Sequence, residues 1–200
     1  MTGATVSAKA RLCDLLASRA YKEGSFALSS GRRSDFYVDA KQVTLDPAGI
    51  NLVGEVLFDL LRPYSIDAIG GLTLGADPIA IAVASFSERQ GHPIPAFIVR
   101  KEAKGHGLQK WIEGCLPDGA RVAVVDDVLT SGGSALKAVD RVRDAGCEVV
   151  VVVGLLDREE GARDAIERAG HVFESVFTIS ELRERYRAAR AQGVAPLVSR

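Results

Sequence analysis

Val122-Ala-Val-Val-Asp-Asp-Val-Leu-Thr-Ser-Gly-Gly-Ser134 is the stretch on which the fold turns. Its β-branched start predicts a buried strand over 121–125. Two carboxylates, Asp126 and Asp127, follow, then a turn of small residues, then a helix over 134–145. In an open α/β sheet, ligands bind outside the carboxyl ends of the strands. A small-residue turn running into a helix exposes backbone N–H groups at the positive end of that helix, which suits a phosphate. Gly132 and Gly133 let the backbone come close, and Thr130, Ser131 and Ser134 add hydroxyl donors. Asp126 and Asp127 would repel a phosphate but suit the hydroxyls of a sugar. Asp-Asp after a strand is by itself a common solvated turn; the Thr-Ser-Gly-Gly-Ser continuation points instead to a phosphorylated sugar. The spacing is not that of a P-loop, which needs a Lys after its second Gly, nor does it carry the dinucleotide glycine pattern.

Outward from this stretch the chain alternates. Towards the C-terminus it reads as a continuous apolar strand over 149–155, a helix over 161–169, a strand over 171–178 and a helix over 179–191. A continuous β-branched run is what a strand buried on both faces requires. Towards the N-terminus it reads as strands over 94–99 and 66–70, a helix from Asp77-Pro78 to Gln90, and a helix from Asp46-Pro47 to Leu61 with Pro in its first turn. Such alternation predicts an α/β fold, a mostly parallel twisted sheet flanked by helices. The first 40 residues stand apart. Ser7 caps a helix to Arg19, and Phe26-Ala-Leu and Phe36-Tyr-Val form two short strands around Ser29-Ser-Gly-Arg-Arg-Ser34. The expected organisation is one domain over 1–200, with residues 1–45 giving the first helix and a small hood and residues 46–191 the core. Residues 101–119 lack an apolar period and read as a long functional loop.

Composition narrows the class. Lys and Arg number 25 against 26 Asp and Glu, a net charge of −1. A dedicated nucleic-acid binder usually carries a basic excess, so none is expected as partner. The longest apolar run, 149–156, is far short of the roughly 20 residues of a membrane span. Cys13, Cys115 and Cys147 fit neither a disulfide framework nor a zinc spacing. With no signal-peptide pattern at the start, a soluble cytoplasmic protein is expected.

Residues 122–134 closely resemble the phosphoribosyl pyrophosphate (PRPP) signature of the type I phosphoribosyltransferases. The resemblance implies that fold, with Asp126 and Asp127 on the ribose 2′- and 3′-hydroxyls and the following turn on the 5′-phosphate. It makes Asp126, Asp127, Val128, Leu129, Thr130, Ser131, Gly132, Gly133 and Ser134 PRPP-binding. After the 94–99 strand comes Arg100-Lys-Glu-Ala-Lys-Gly-His-Gly107, with four cationic or potentially cationic groups in seven residues and two glycines for pliability. A departing pyrophosphate needs such a cluster, because charge accumulates on it as the bond breaks. This loop resembles the catalytic loop of the orotate phosphoribosyltransferases, Arg-Lys-Glu-x-Lys-x-His-Gly, at every defined position. The implied pyrophosphate contacts are Arg100, Lys101, Lys104 and His106. The resemblance further implies that Lys104, Asp126 and Asp127 are catalytic and that the 100–107 loop is shared across a homodimer.

Two further segments fit the same family. Residues 26–39 resemble its Ser-Gly-Arg-x-Ser segment over the orotate pocket, and Asp157-Arg-Glu-Glu-Gly161 resembles its Asp-Arg-x-Glu-Gly segment, whose Arg binds the orotate carboxylate. Thr130, Arg158, Phe36 and Tyr37 are thus the expected orotate contacts. An Arg fork matches a planar carboxylate, although without the resemblance Arg158 reads rather as a surface salt-bridge partner of Glu159 or Glu160. The sequence departs from the family at Ser29, where many members have Lys, and at Leu74-Gly75, where many have Tyr-Lys. The implied reaction joins orotate to the ribosyl carbon of PRPP with loss of pyrophosphate, giving orotidine 5′-monophosphate. Mg²⁺ is the implied cofactor, held mainly by PRPP and water with no direct protein ligand. The PRPP signature alone is shared with transferases of other bases, purines among them, and with PRPP-sensing regulators. The 100–107 loop and Arg158 favour orotate.

Overall fold

The computed structural model describes residues 6–27, 33–102 and 111–192. Six strands form the main sheet: β3 (Ala68–Leu72), β4 (Ala96–Val99), β5 (Ile112–Gly114), β6 (Arg121–Leu129), β7 (Glu148–Asp157) and β8 (Phe173–Thr178). Their order across the sheet is β5-β4-β3-β6-β7-β8. Every pair is parallel except β4–β5. The remaining two strands, β1 (Tyr21–Ala27) and β2 (Arg33–Val38), make a separate antiparallel hairpin, the expected hood.

The helices begin where local chemistry dictates. Ser7 accepts from the Ala10 N–H and opens α1 (Ala8–Leu15), which continues as one π-helical turn through Ala20. A four-residue helix, α2 (Lys41–Thr44), follows the hood. Asp46 accepts from Ala48 and Gly49 and opens α3 (Pro47–Leu61) with Pro47 in its first turn. α4 (Ala76–Arg89), α5 (Gly133–Asp144) and α6 (Ala162–Arg168) follow β3, β6 and β7, and α7 (Ile179–Ala191) carries a capping box between Thr178 and Glu181.

Two cores lie on the two faces of the sheet. On one, Leu12, Val53, Leu57, Ile79 and Val83 pack against Ile69, Ala123, Val125 and Val153, and Tyr21, Phe36 and Val38 of the hood join them. On the other, α5 and α6 cover Phe97, Val122, Val124 and Val152. Each fully buried Leu, Ile or Val contributes about 1.5–3 kcal/mol. β6 feeds the two cores alternately: Val122 and Val124 to one, Ala123 and Val125 to the other.

Several sequence expectations need correction. The strand expected over 121–125 runs on to Leu129, so the carboxylates lie within β6 rather than past its end, because β7 extends to Asp157 and keeps supplying ladder partners: Val128 to Leu156, Leu129 to Asp157. β5, inside the expected 101–119 loop, is too short to show a period and exists by pairing with the β4 edge. β1 begins at Tyr21, before the expected Phe26. α2 was not anticipated. Among the described residues, no helix is long and apolar enough to cross a membrane.

Candidate active site

β3 leads through α4 to β4 on one side of the sheet, and β6 leads through α5 to β7 on the other. The chain therefore diverges between β3 and β6, the switch point at which open α/β sheets bind ligands. The β3–β6 pairing ends at Gly70 and Val124, which opens a crevice beside the next residues of β6. Asp126 and Asp127 sit there.

Both acids are only 8% exposed. Each folds back on its own strand: Asp126 Oδ1 accepts the Asp127 N–H at 3.0 Å, and Asp127 Oδ1 accepts the Val128 N–H at 2.9 Å. Burial first, and the neighbouring Asp127 charge second, push the Asp126 carboxyl up to about 7. The β3–α4 loop closes over the pair. A Cβ on Gly75 would stand 2.3 Å from Asp127 Oδ1 and 2.9 Å from Asp126 Oδ1, so a side chain there would require the carboxylates to shift. Leu74, beside it, points an exposed side chain to solvent.

The turn after β6 leaves Thr130, Ser131, Gly133 and Ser134 exposed. Gly132 has a left-handed φ of 79°, and α5 starts without a side-chain cap. Its first N–H groups thus face the turn at the positive end of a twelve-residue helix, as an anion site requires. Val128 and Leu129 belong to the strand; the Leu129 side chain is buried under Gly154 in the α5 core.

Arg158 stands one strand over, where its N–H donates to Leu129 O at 2.9 Å. It is 9% exposed, and its guanidinium carbon lies 4.6 Å from the Phe36 ring centroid. Glu160 Oε1 approaches Nη2 to 2.7 Å without hydrogen-bond geometry, and Nε has no hydrogen-bond partner among the described residues. Of the two expected partners, Glu160 pairs with Arg158, while Glu159 accepts from the Ser180 N–H and hydroxyl at the start of α7. The hood contributes Phe36 from its buried face. Tyr37 lies on the opposite face, 44% exposed and beside Phe26 at 5.6 Å. The two aromatics expected together therefore point apart, as alternation along a strand demands.

Arg100 directly follows β4; its N–H donates to Trp111 O, and its guanidinium lies 3.5 Å from Glu113. Lys101 is exposed beside it. Lys104 and His106 lie outside the described residues, as do Ser29, Gly31 and Arg32 of the hood turn.

Two cations reach the site that sequence reasoning missed. Lys41 Nζ lies 3.1 Å from Asp127 Oδ2 and 3.4 Å from Asp39 Oδ1. Arg183 of α7 donates to both Asp35 oxygens at 3.2 and 3.3 Å and to the Tyr21 hydroxyl at 3.2 Å, with its guanidinium carbon 5.1 Å from the Phe36 ring centroid. Four residues on, Arg187 holds Glu23 at 3.0 Å. The i, i+4 repeat of arginines was the available signal for a helix face clamped on acids. Lys41 carried none.

Residues 39–182 match the model of the phosphoribosyl transferase domain family. The chain is 52% identical over 177 residues to an orotate phosphoribosyltransferase of Nostoc sp., an alignment covering 88% of this chain and 85% of that protein. Among solved structures, it is similar to the orotate phosphoribosyltransferase of Mycobacterium tuberculosis in complex with Fe(III) dicitrate, with 43% identity, a TM-score of 0.80, and 88% and 99% of the two chains covered. The same M. tuberculosis protein in complex with PRPP matches with 39% identity, a TM-score of 0.75 and the same shares.

Proposed function

This chain belongs to the phosphoribosyl transferase family, among its orotate phosphoribosyltransferases, and on that premise we propose how its residues divide the reaction of PRPP with orotate. One observation carries the assignment of residues. A guanidinium nine-tenths buried, its Nε unpartnered among the described residues, sits one strand over from the acid pair, just past the end of β7. A sugar on β6 and a carboxylated base on β7 would then be neighbours, about one strand spacing, roughly 4.8 Å, apart.

Asp126 and Asp127 accept from the ribose 2′- and 3′-hydroxyls. Backbone N–H groups and hydroxyls from Thr130 to Ser134 hold the 5′-phosphate. Arg158 donates to the orotate carboxylate, and Phe36 packs the guanidinium in place. Arg100 and Lys101, with Lys104 and His106, receive the charge that gathers on pyrophosphate as the anomeric carbon passes from its oxygen to orotate N1. No covalent nucleophile is needed; positioning and charge stabilisation supply the rate. Among the described residues, no three His, Cys, Asp or Glu side chains gather as a metal cage. Mg²⁺ would enter on PRPP oxygens and water with no side chain as direct ligand, and when bound would neutralise the pyrophosphate. A homodimer in which each 100–107 loop serves its partner's site completes the reading, and three free thiols support a reducing, cytoplasmic setting.

The test follows the loss of orotate absorbance with PRPP and Mg²⁺. Consumption of orotate with release of pyrophosphate is expected. Turnover of a purine in its place, or of no base at all, would overturn the reading.

A further inference from the structure

Lys41 belongs to none of the motifs above. It is the first residue of α2, 86 positions before Asp127 in the chain, yet it reaches that carboxylate at 3.1 Å. It bridges to Asp39 at the end of the hood, and its side chain stays 45% exposed. The setting explains why a cation is needed. Two adjacent carboxylates, each almost fully buried, converge on the β3–α4 loop, and like charges so placed repel. That loop reads Thr73-Leu74-Gly75, without a cationic side chain. The counter-charge arrives instead from the segment behind the hood.

We infer that Lys41 is a positioning residue for the sugar site, whose charge, held 3.1 Å from Asp127, keeps the adjoining Asp126 carboxylate available to the ribose hydroxyls. This rests on the reading of the acid pair given above. The ionisable groups facing the contact are Asp39 from the hood side and Asp126 and Asp127 from β6. In the adjoining loop, Asp77 is turned to the Thr73 hydroxyl at 2.7 Å. Desolvation works against the Lys41 ammonium, but the charges of Asp127 and Asp39 outweigh it and raise its pKa. In return, the Lys41 charge lowers the Asp126 pKa, opposing the burial and repulsion that raise it. Without Lys41, Asp126 holds its proton to a higher pH. A protonated carboxyl has lost acceptor capacity, so sugar binding weakens near neutrality and returns as the pH is raised.

The experiment measures steady-state orotate consumption with PRPP varied, from about pH 6.5 to 9, for the wild type, Lys41→Met and Lys41→Arg. Lys41→Met is expected to raise KM for PRPP about tenfold near pH 7, the loss of one charge-assisted contact. Its kcat and KM for orotate should stay near wild type, and the KM ratio should fall towards one by pH 9. Lys41→Arg should keep a wild-type profile. A wild-type KM in Lys41→Met at pH 7 overturns the inference. So does a defect of constant size up to pH 9, which would make Lys41 a direct ligand of PRPP. If the wild type itself leaves orotate untouched, the orotate reading falls, and calorimetric PRPP binding by the same variants over the same range tests Lys41 alone.

Discussion

Asp126, Asp127 and Thr130 to Ser134, the proposed sugar side, come from one uninterrupted run of nine residues, whereas the proposed base side is assembled from Phe36 of the hood and Arg158 after β7 and is braced by Asp35 and Arg183 of α7, 148 positions apart. The sugar side takes its shape from a strand, a tight turn and a helix start, all fixed within a few residues by backbone hydrogen bonding. The base side takes its shape from docking. Phe36 meets Arg158 only because the hood packs into the core beside α1, and the hood is held there by Arg183 on Asp35 and Tyr21 and by Arg187 on Glu23. A local site tolerates distant change; an assembled one can be weakened from the far end of the chain.

The comparison can be broken at its largest effect by the leaving group, which belongs to neither side. Lys104→Ala is expected to lower kcat by roughly 10²–10³-fold with the fold intact, the usual cost of one preorganised charge-stabilising donor. Mixing it with Asp127→Asn should restore part of the activity through hybrid dimers; no rescue under proven subunit exchange would confine the loop to its own subunit. Next, Arg158→Met should reduce kcat/KM for orotate by roughly a hundredfold, since a hydrogen-bonded charge pair of about 1.5–3 kcal/mol is lost, while KM for PRPP stays put. An equal loss for both substrates would erase the division between the sides.

Arg183→Met sharpens the comparison further, because that residue acts on the pocket from outside it. We expect KM for orotate to rise about fivefold, in line with a partly exposed ion pair and a cation–π contact, and Arg183→Lys to recover part of it. An unchanged KM for orotate would mean that α7 steadies the hood without tuning the pocket. The smallest effect is on stability, at Asp126. Its folded pKa of about 7 lies above the ordinary 3.8, so the folded state holds the extra proton between those values, and stability falls as pH rises through that window. Asp126→Asn should abolish this slope. Thermal melting from pH 4 to 8 reads it directly, and a wild-type curve without the slope would place the proton elsewhere.

Much of this was legible beforehand. The alternation of strands and helices, the caps at Ser7 and Asp46, and the cluster of small residues after β6 are signals carried by near neighbours. The length of β6 was not, because its last four residues are held by β7. β5 was hidden for the same reason, being only three residues long and dependent on the β4 edge. Phe36 and Tyr37 were legible as aromatic hood residues but not as residues facing opposite ways, which the hairpin register decides.

By itself, the sequence determined the α/β alternation, the small-residue turn after the acid pair and the cationic cluster from Arg100, since periodicity, turn chemistry and charge clustering act over a few residues; Arg158 entered only through the family resemblance. Only the tertiary structure decided that Lys41 answers the charge of Asp127, that Gly75 walls the acid pair, and that α7 reaches back to the hood. Those contacts join residues 51 to 164 positions apart. They arise from strand order and helix docking, which depend on how two whole cores close on the sheet and leave no mark in the local pattern of the chain.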